Sequence, residues 1–93
     1  MLLEKLTLSA PKWELINWKL YPTLVTDITT IFPPNKNDKY LIEIWDLGNL
    51  KQFFSEFSEG ETILDTSKWV KGTYRIDITF KEQRHSYKVL KTT

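Results

Sequence analysis

The clearest periodicity in the chain lies in Gly72-Thr73-Tyr74-Arg75-Ile76-Asp77-Ile78-Thr79-Phe80. Tyr74, Ile76, Ile78 and Phe80 share one face, and Thr73, Arg75, Asp77 and Thr79 share the other. Side chains of a strand alternate between its faces, so this period of two predicts a half-buried antiparallel strand. Gly72 precedes it at a position suited to a positive φ or to close packing. The same period recurs in Tyr40, Ile42 and Ile44, after the polar turn Pro33-Pro34-Asn35-Lys36-Asn37-Asp38. Paired prolines cannot continue a sheet ladder, so that turn is a boundary. Val25 to Phe32 divides into Val25, Asp27, Thr29 and Ile31 against Thr26, Ile28, Thr30 and Phe32.

Other segments carry weaker versions of the pattern. Trp13 to Tyr21 is rich in aromatic and branched residues and is broken by Pro22. Its inward set is either Trp13, Leu15 and Asn17 or the more apolar Ile16, Trp18 and Leu20. Leu2 to Leu8 alternates loosely and ends before Pro11, and His85 to Lys91 reads as a last strand after the turn Lys81 to Arg84. One stretch is ambiguous. Leu47, Leu50, Phe53, Phe54 and Phe57 form a fair helical stripe, but Gly48 and Asn49 at its start favour a turn. Lys51 to Phe57 is therefore read as a strand with a bulge, between a turn at Asp46 to Asn49 and another at Ser58 to Glu61.

Seven or eight short strands punctuated by turns imply an all-β, antiparallel sandwich of immunoglobulin-like or Greek-key topology. The 93 residues make one domain, spanning residues 1–93, in which residues 1–19 are either an extra strand or a residual linker. A chain of this size buries roughly 60–65% of its unfolded surface, enough for one modest core.

Composition narrows the function. Hydrophobic residues make up 41% and charged residues 27%, as in ordinary globular domains. A net charge of +1 gives no basic stripe for nucleic acid and no pull toward an anionic membrane. No segment approaches the roughly 20 apolar residues of a membrane helix. Without cysteine there is no disulfide and no thiol chemistry. His85 is the single histidine and reads as a surface residue on a terminal strand. Glu56, Glu59 and Glu61 cluster near one turn without the spacing of a calcium loop, so a solvated acidic turn is expected. No phosphate loop, nucleophile elbow or HExxH is present, and the expectation is a non-enzyme with no metal or cofactor.

Four tryptophans, Trp13, Trp18, Trp45 and Trp69, raise the question of binding. Trp69 follows a turn and is expected to plug one end of the sandwich. If Tyr40, Ile42 and Ile44 face inward, Leu41 and Trp45 face outward as an exposed apolar patch, a candidate protein- or carbohydrate-binding face.

From Leu20 to Lys91 the order of motifs resembles the type A C-terminal sorting domain of the type IX secretion system. The residues that carry the likeness are Tyr21-Pro22, Val25-Thr26-Asp27, Ile42-Glu43-Ile44-Trp45-Asp46-Leu47, Leu64-Asp65-Thr66-Ser67, Trp69, Lys71-Gly72-Thr73-Tyr74 and Lys88-Val89-Leu90-Lys91. Thr23 and Leu24 depart from the family pattern, and Gly48-Asn49 reverses the usual order at its turn. The resemblance implies a non-catalytic targeting module of exported bacterial cargo, read by secretion machinery proteins of the outer membrane. Recognition would use a sheet edge, with Lys71, Gly72, Tyr87, Lys88, Val89, Leu90 and Lys91 as the partner-binding set. The alternative is a free-standing binding module that uses Leu41 and Trp45. A monomer or weak dimer is expected. The setting would be the periplasm, outer membrane or exterior if the chain is cut from an exported protein, and the cytoplasm if Met1 is the true start, since Glu4 and Lys5 interrupt any leader-like run.

Overall fold

The computed structural model describes residues 18–92. The expected strand at Leu2 to Leu8 and the N-terminal part of Trp13 to Tyr21 lie outside them. Among the described residues there are eight strands and no helix. They are β1 (Lys19–Tyr21), β2 (Leu24–Val25), β3 (Ile28–Phe32), β4 (Lys39–Asp46), β5 (Lys51–Glu59), β6 (Thr62–Asp65), β7 (Gly72–Phe80) and β8 (Gln83–Lys91). One sheet has the order β1-β3-β6 and the other β2-β8-β7-β4-β5. The chain is an all-β sandwich with immunoglobulin-like, Greek-key connectivity.

The alternation in β7 sets the core. Tyr74, Ile76, Ile78 and Phe80 are all buried beneath the three-stranded sheet. Tyr40, Ile42 and Ile44 of β4 and Val89 of β8 complete the inner face of the larger sheet. Leu20, Thr29, Ile31 and Leu64 meet them from the smaller one. For the first strand the structure selects the apolar alternative, since Trp18 and Leu20 are buried. Trp18 packs edge-on against Tyr40 at 5.1 Å between ring centroids and lies 5.2 Å from Phe80. Thr29 faces inward although Ile28 does not, and its hydroxyl donates to the Pro22 carbonyl at 2.6 Å. That bond offsets the burial of a polar group.

Three departures from the sequence reading have local causes. The expected single strand Val25 to Phe32 is two strands, because the chain crosses from the larger sheet to the smaller at Thr26–Asp27. β2 also pairs with β8 in parallel, the one non-antiparallel pairing among the described strands. Asp77, expected on the open face of β7, is buried. Its carboxylate accepts from Arg75 Nε at 3.0 Å and from Ser86 Oγ at 2.8 Å, which compensates its lost hydration. The strand reading of Lys51 to Phe57 holds, bulge included. Ile44 pairs with Phe54 and Trp45 with Gln52, which leaves Phe53 as the extra residue.

Turns follow backbone chemistry. Asp46 organises the β4–β5 turn through Gly48 N at 2.9 Å, Asn49 N at 3.3 Å and Asn49 Nδ2 at 2.8 Å. The positive φ in that turn falls on Leu50, at 52°, and not on Gly48 or Asn49. Gly72 has a φ of 155°, with open space where a side chain would stand. Gly60 is tighter: its φ is 69°, and a Cβ there would lie 2.6 Å from the Lys36 carbonyl oxygen. The β7–β8 hairpin pairs Phe80 with Gln83 across a two-residue loop, with φ values of 49° at Lys81 and 66° at Glu82. Positive φ at both positions is the geometry of a type I′ turn, which matches the twist of the flanking strands. Near the start of β7 the Tyr74 hydroxyl donates back to the Val70 carbonyl. This is the tyrosine corner seen in immunoglobulin-like sandwiches.

Four outcomes follow from this packing. Ile76→Ala should cost about 2–5 kcal/mol in chemical denaturation, the usual range for truncating a buried aliphatic side chain. Glu82→Gly should raise stability by about 0.5–1 kcal/mol, because glycine relieves left-handed strain at the second turn position while adding entropy to the unfolded chain. Gly72→Val should destabilise through backbone strain alone, by about 1–3 kcal/mol. The fourth concerns pH. Burial pushes the phenols of Tyr40, Tyr74 and Tyr87 above their ordinary value of 10.0, and Asp46 adds to the effect at Tyr74. The fold favours the neutral phenol, so this stabilisation is complete below pH 10 and is lost as pH rises through the folded-state values. Denaturant midpoints should therefore fall above about pH 10. Tyr40→Phe should be less stable at neutral pH and should show a smaller alkaline loss.

Candidate functional site

The residues singled out near the C-terminus meet at one corner of the sandwich. Lys91 ends β8 with its side chain turned inward, and it is only 2% exposed. Its ammonium donates to the carbonyls of Thr26 and Thr66, the latter at 2.9 Å. Thr66 in turn donates from its backbone N to Asp27 O at 2.7 Å and from Oγ1 to Thr26 O at 3.2 Å. Leu90 N donates to Thr23 O at 2.8 Å, and Thr92 N to Val25 O at 3.1 Å. Three segments distant in sequence are thereby tied together: the bend after β2, the turn after β6 and the end of β8. Asp65 stabilises that turn by accepting from Ser67 N at 2.9 Å and Ser67 Oγ at 2.6 Å. These bonds hold the exposed Asp65 carboxyl below the usual carboxylate value.

This arrangement sorts the predicted partner-binding set. Val89 and Lys91 are buried, and their side chains face no partner. Tyr87 is half-buried against the core, and Gly72 is paired with Lys91 in the sheet. Lys71, Lys88 and Leu90 are exposed. The C-terminal end of β8 is also covered as an edge, because β2 pairs with Leu90 and Lys91. What stays open is an outer surface formed by Leu24, 61% exposed, and Leu90, 45% exposed, in a shallow depression with Thr23, Thr73 and Lys88. Leu24 was no part of the sequence-based set. Its pairing with Leu90 depends on a parallel contact between strands more than sixty residues apart, which no local pattern signals.

The second predicted face is altered. Leu41 and Trp45 point outward as expected, but both are half-buried and do not form an exposed patch. The guanidinium of Arg75, opposite Trp45 in the sheet, lies 5.4 Å from the centre of its ring. Residues facing each other across neighbouring strands cover one another, and a cationic plane over indole is favourable. His85, expected at the surface, is half-buried on the inner side of β8 and stacks on Tyr87 at 6.1 Å. Its Nε2 is buried and has no hydrogen-bond partner among the described residues.

Trp69 does close one end of the sandwich. Its ring lies 4.6 Å from that of Tyr74 and 5.5 Å from that of Phe53. Among the described residues no group of three or more His, Cys, Asp or Glu side chains is placed to hold a metal ion, and no helix is long and apolar enough to cross a membrane. No protein-family model matches the chain, and no curated protein matches it in sequence.

Lys91→Met tests the corner. It keeps most of the apolar stem and deletes the charged donor, so the Thr66 carbonyl keeps only Trp69 N and the Thr26 carbonyl only Thr66 Oγ1. The expected loss is about 1–3 kcal/mol, measured by denaturation. Lys88→Met, at an exposed site on the same strand, should stay within about 0.5 kcal/mol of the parent.

Proposed function

We propose that this domain is a non-catalytic sorting module that directs exported bacterial cargo to the cell surface through a type IX system. The observation that carries the reading is the ordered likeness from Tyr21 to Lys91, together with the way its parts are coupled. Thr26 belongs to the motif Val25-Thr26-Asp27, Thr66 to Leu64-Asp65-Thr66-Ser67 and Lys91 to the last, and one ammonium group links all three. Residues scattered over the sequence thus act as one structural unit, which is what a domain read as a folded shape requires.

The surface offered to the secretion machinery is the outer corner beside β2 and β8. Leu24 and Leu90 supply apolar contact, Lys88 lines the same depression, and the exposed Lys71 stands one residue before Gly72, the sheet partner of Lys91. Apolar anchors with a charged surround are the usual anatomy of a protein interface. The buried Val89 and Lys91 contribute indirectly, by holding β8 in place. The alternative, a free-standing binding module using Leu41 and Trp45, has less support, because Arg75 lies against the indole and both apolar side chains are half-buried.

The test uses the whole chain fused behind a reporter that carries a Sec signal, expressed in a bacterium with a type IX system. The parent fusion should reach the surface or the medium. Lys71→Glu combined with Lys88→Glu should keep the fold, judged by circular dichroism, and cut export at least tenfold. Removing the whole last strand would be uninformative, since it would take Val89 and Lys91 out of the core. A folded parent fusion that stays in the periplasm would sink the sorting reading. Export untouched by the double charge reversal would instead show that the recognised surface lies elsewhere.

A further inference from the structure

At the end of the sandwich opposite the β7–β8 hairpin, a cleft of about 300 Å³ opens beside Trp69. Its apolar wall is formed by Phe53, Trp69, Val70 and Tyr74. The bulge in β5 makes this wall, because the extra residue Phe53 leaves the regular pleat and its ring turns toward Trp69 and Tyr74. Phe53 remains 45% exposed and Val70 75% exposed, so apolar surface is left facing the cleft. The Tyr74 hydroxyl is committed to the Val70 carbonyl, which fixes the loop that forms one side.

The charged residues at the cleft are Lys51, Lys68 and Asp46. Their availability differs. The Asp46 carboxylate already accepts from Gly48 N, Asn49 N and Asn49 Nδ2. Lys51 and Lys68 are exposed, and neither takes part in an ion pair among the described residues. The cleft thus joins an aromatic wall to two cations free to meet a ligand. A cleft of this size is at the small end of ligand pockets, which are mostly apolar with a few polar groups that set orientation.

We propose that this cleft binds a small amphipathic anion, with its apolar body against Phe53, Trp69 and Tyr74 and its anionic group meeting Lys51 and Lys68. Apolar contact supplies the bulk of the affinity, and the lysines discriminate against neutral and cationic molecules of the same shape. The cleft shares no lining residue with the depression at Leu24 and Leu90 proposed for sorting.

Two probes with the same ring systems separate the two contributions. They are 8-anilinonaphthalene-1-sulfonate, an anion, and N-phenyl-1-naphthylamine, which is uncharged. The whole chain should bind the sulfonate saturably, one molecule per protein, in fluorescence titration. Lys51→Glu combined with Lys68→Glu should weaken sulfonate binding at least tenfold and leave the amine within twofold. Phe53→Ser, at a partly exposed position, should weaken both probes by a similar factor. Circular dichroism checks that each variant is folded. Sulfonate binding that does not saturate at one site overturns the proposal. So does binding that is indifferent to the double charge reversal, or indifference of both probes to Phe53→Ser.

Discussion

The two sheets differ in width, and the burial of one against the other governs the rest of the molecule. Three strands face five, so the smaller sheet covers only part of the apolar face that the larger one presents. The centre of the larger sheet, β7 with β4 on one side and β8 on the other, receives that cover. There Ile42, Ile44, Ile76, Ile78 and Val89 lose essentially all contact with water. The hydrophobic effect scales with the apolar area removed, so this strip supplies most of the driving force for a chain this short. Strands beyond the strip are covered in other ways. β5 carries a bulge and exposes Phe53 and Phe57, and it turns Glu56 toward the inner side, opposite Ile42. Bulges and inward-pointing charges on an edge strand both oppose pairing with another chain.

At its ends the sandwich is closed by hydrogen bonds as much as by packing. At one end Tyr40 donates to the Gly60 carbonyl and shares a hydrogen bond with Thr62 Oγ1, while Ser58 and Thr62 are 2.6 Å apart through their hydroxyls. At the other, Lys91 gathers the Thr26 and Thr66 carbonyls, and Tyr74 holds the Val70 carbonyl. Each connection between sheets leaves backbone groups without a ladder partner, and a buried carbonyl without a donor is costly. A long flexible side chain such as lysine can reach two of them at once. The lysine and the turn it serves are therefore energetically one feature, although they lie far apart in sequence.

The surfaces available for function are what this closure leaves over. The corner at Leu24, Leu90 and Lys88 is open because β2 is only two residues long and its outer side has no second layer. The cleft at Phe53 and Trp69 is open because a bulge turned one phenylalanine out of register. Neither surface requires strain or an unpaired buried charge. Both depend on strand lengths and crossings, and the cleft depends also on Tyr74, a core residue of β7 that forms part of its wall.

The sequence by itself determined most of the strands and the inward faces of the two central ones. A period of two in Tyr40, Ile42, Ile44 and in Tyr74, Ile76, Ile78, Phe80 leaves one face to bury, whatever the partner. Prolines and polar turns marked the boundaries at Pro22, Pro33-Pro34 and Lys81. Local pattern also placed a bulge somewhere in Lys51 to Phe57 and Trp69 at one end of the sandwich. The tertiary structure alone decided what lies opposite what. The burial of Lys91 and Val89, the cover of Arg75 over Trp45 and the pairing of Leu24 with Leu90 are contacts between segments apart in sequence, and Asp77 is admitted beneath the surface by Arg75 on its own strand together with Ser86 on the next. Side-chain alternation tells a residue which way to face, but long-range pairing decides whether another residue already stands there. For that reason the predicted binding set was legible as a region of the chain, while its division into exposed and buried members was not.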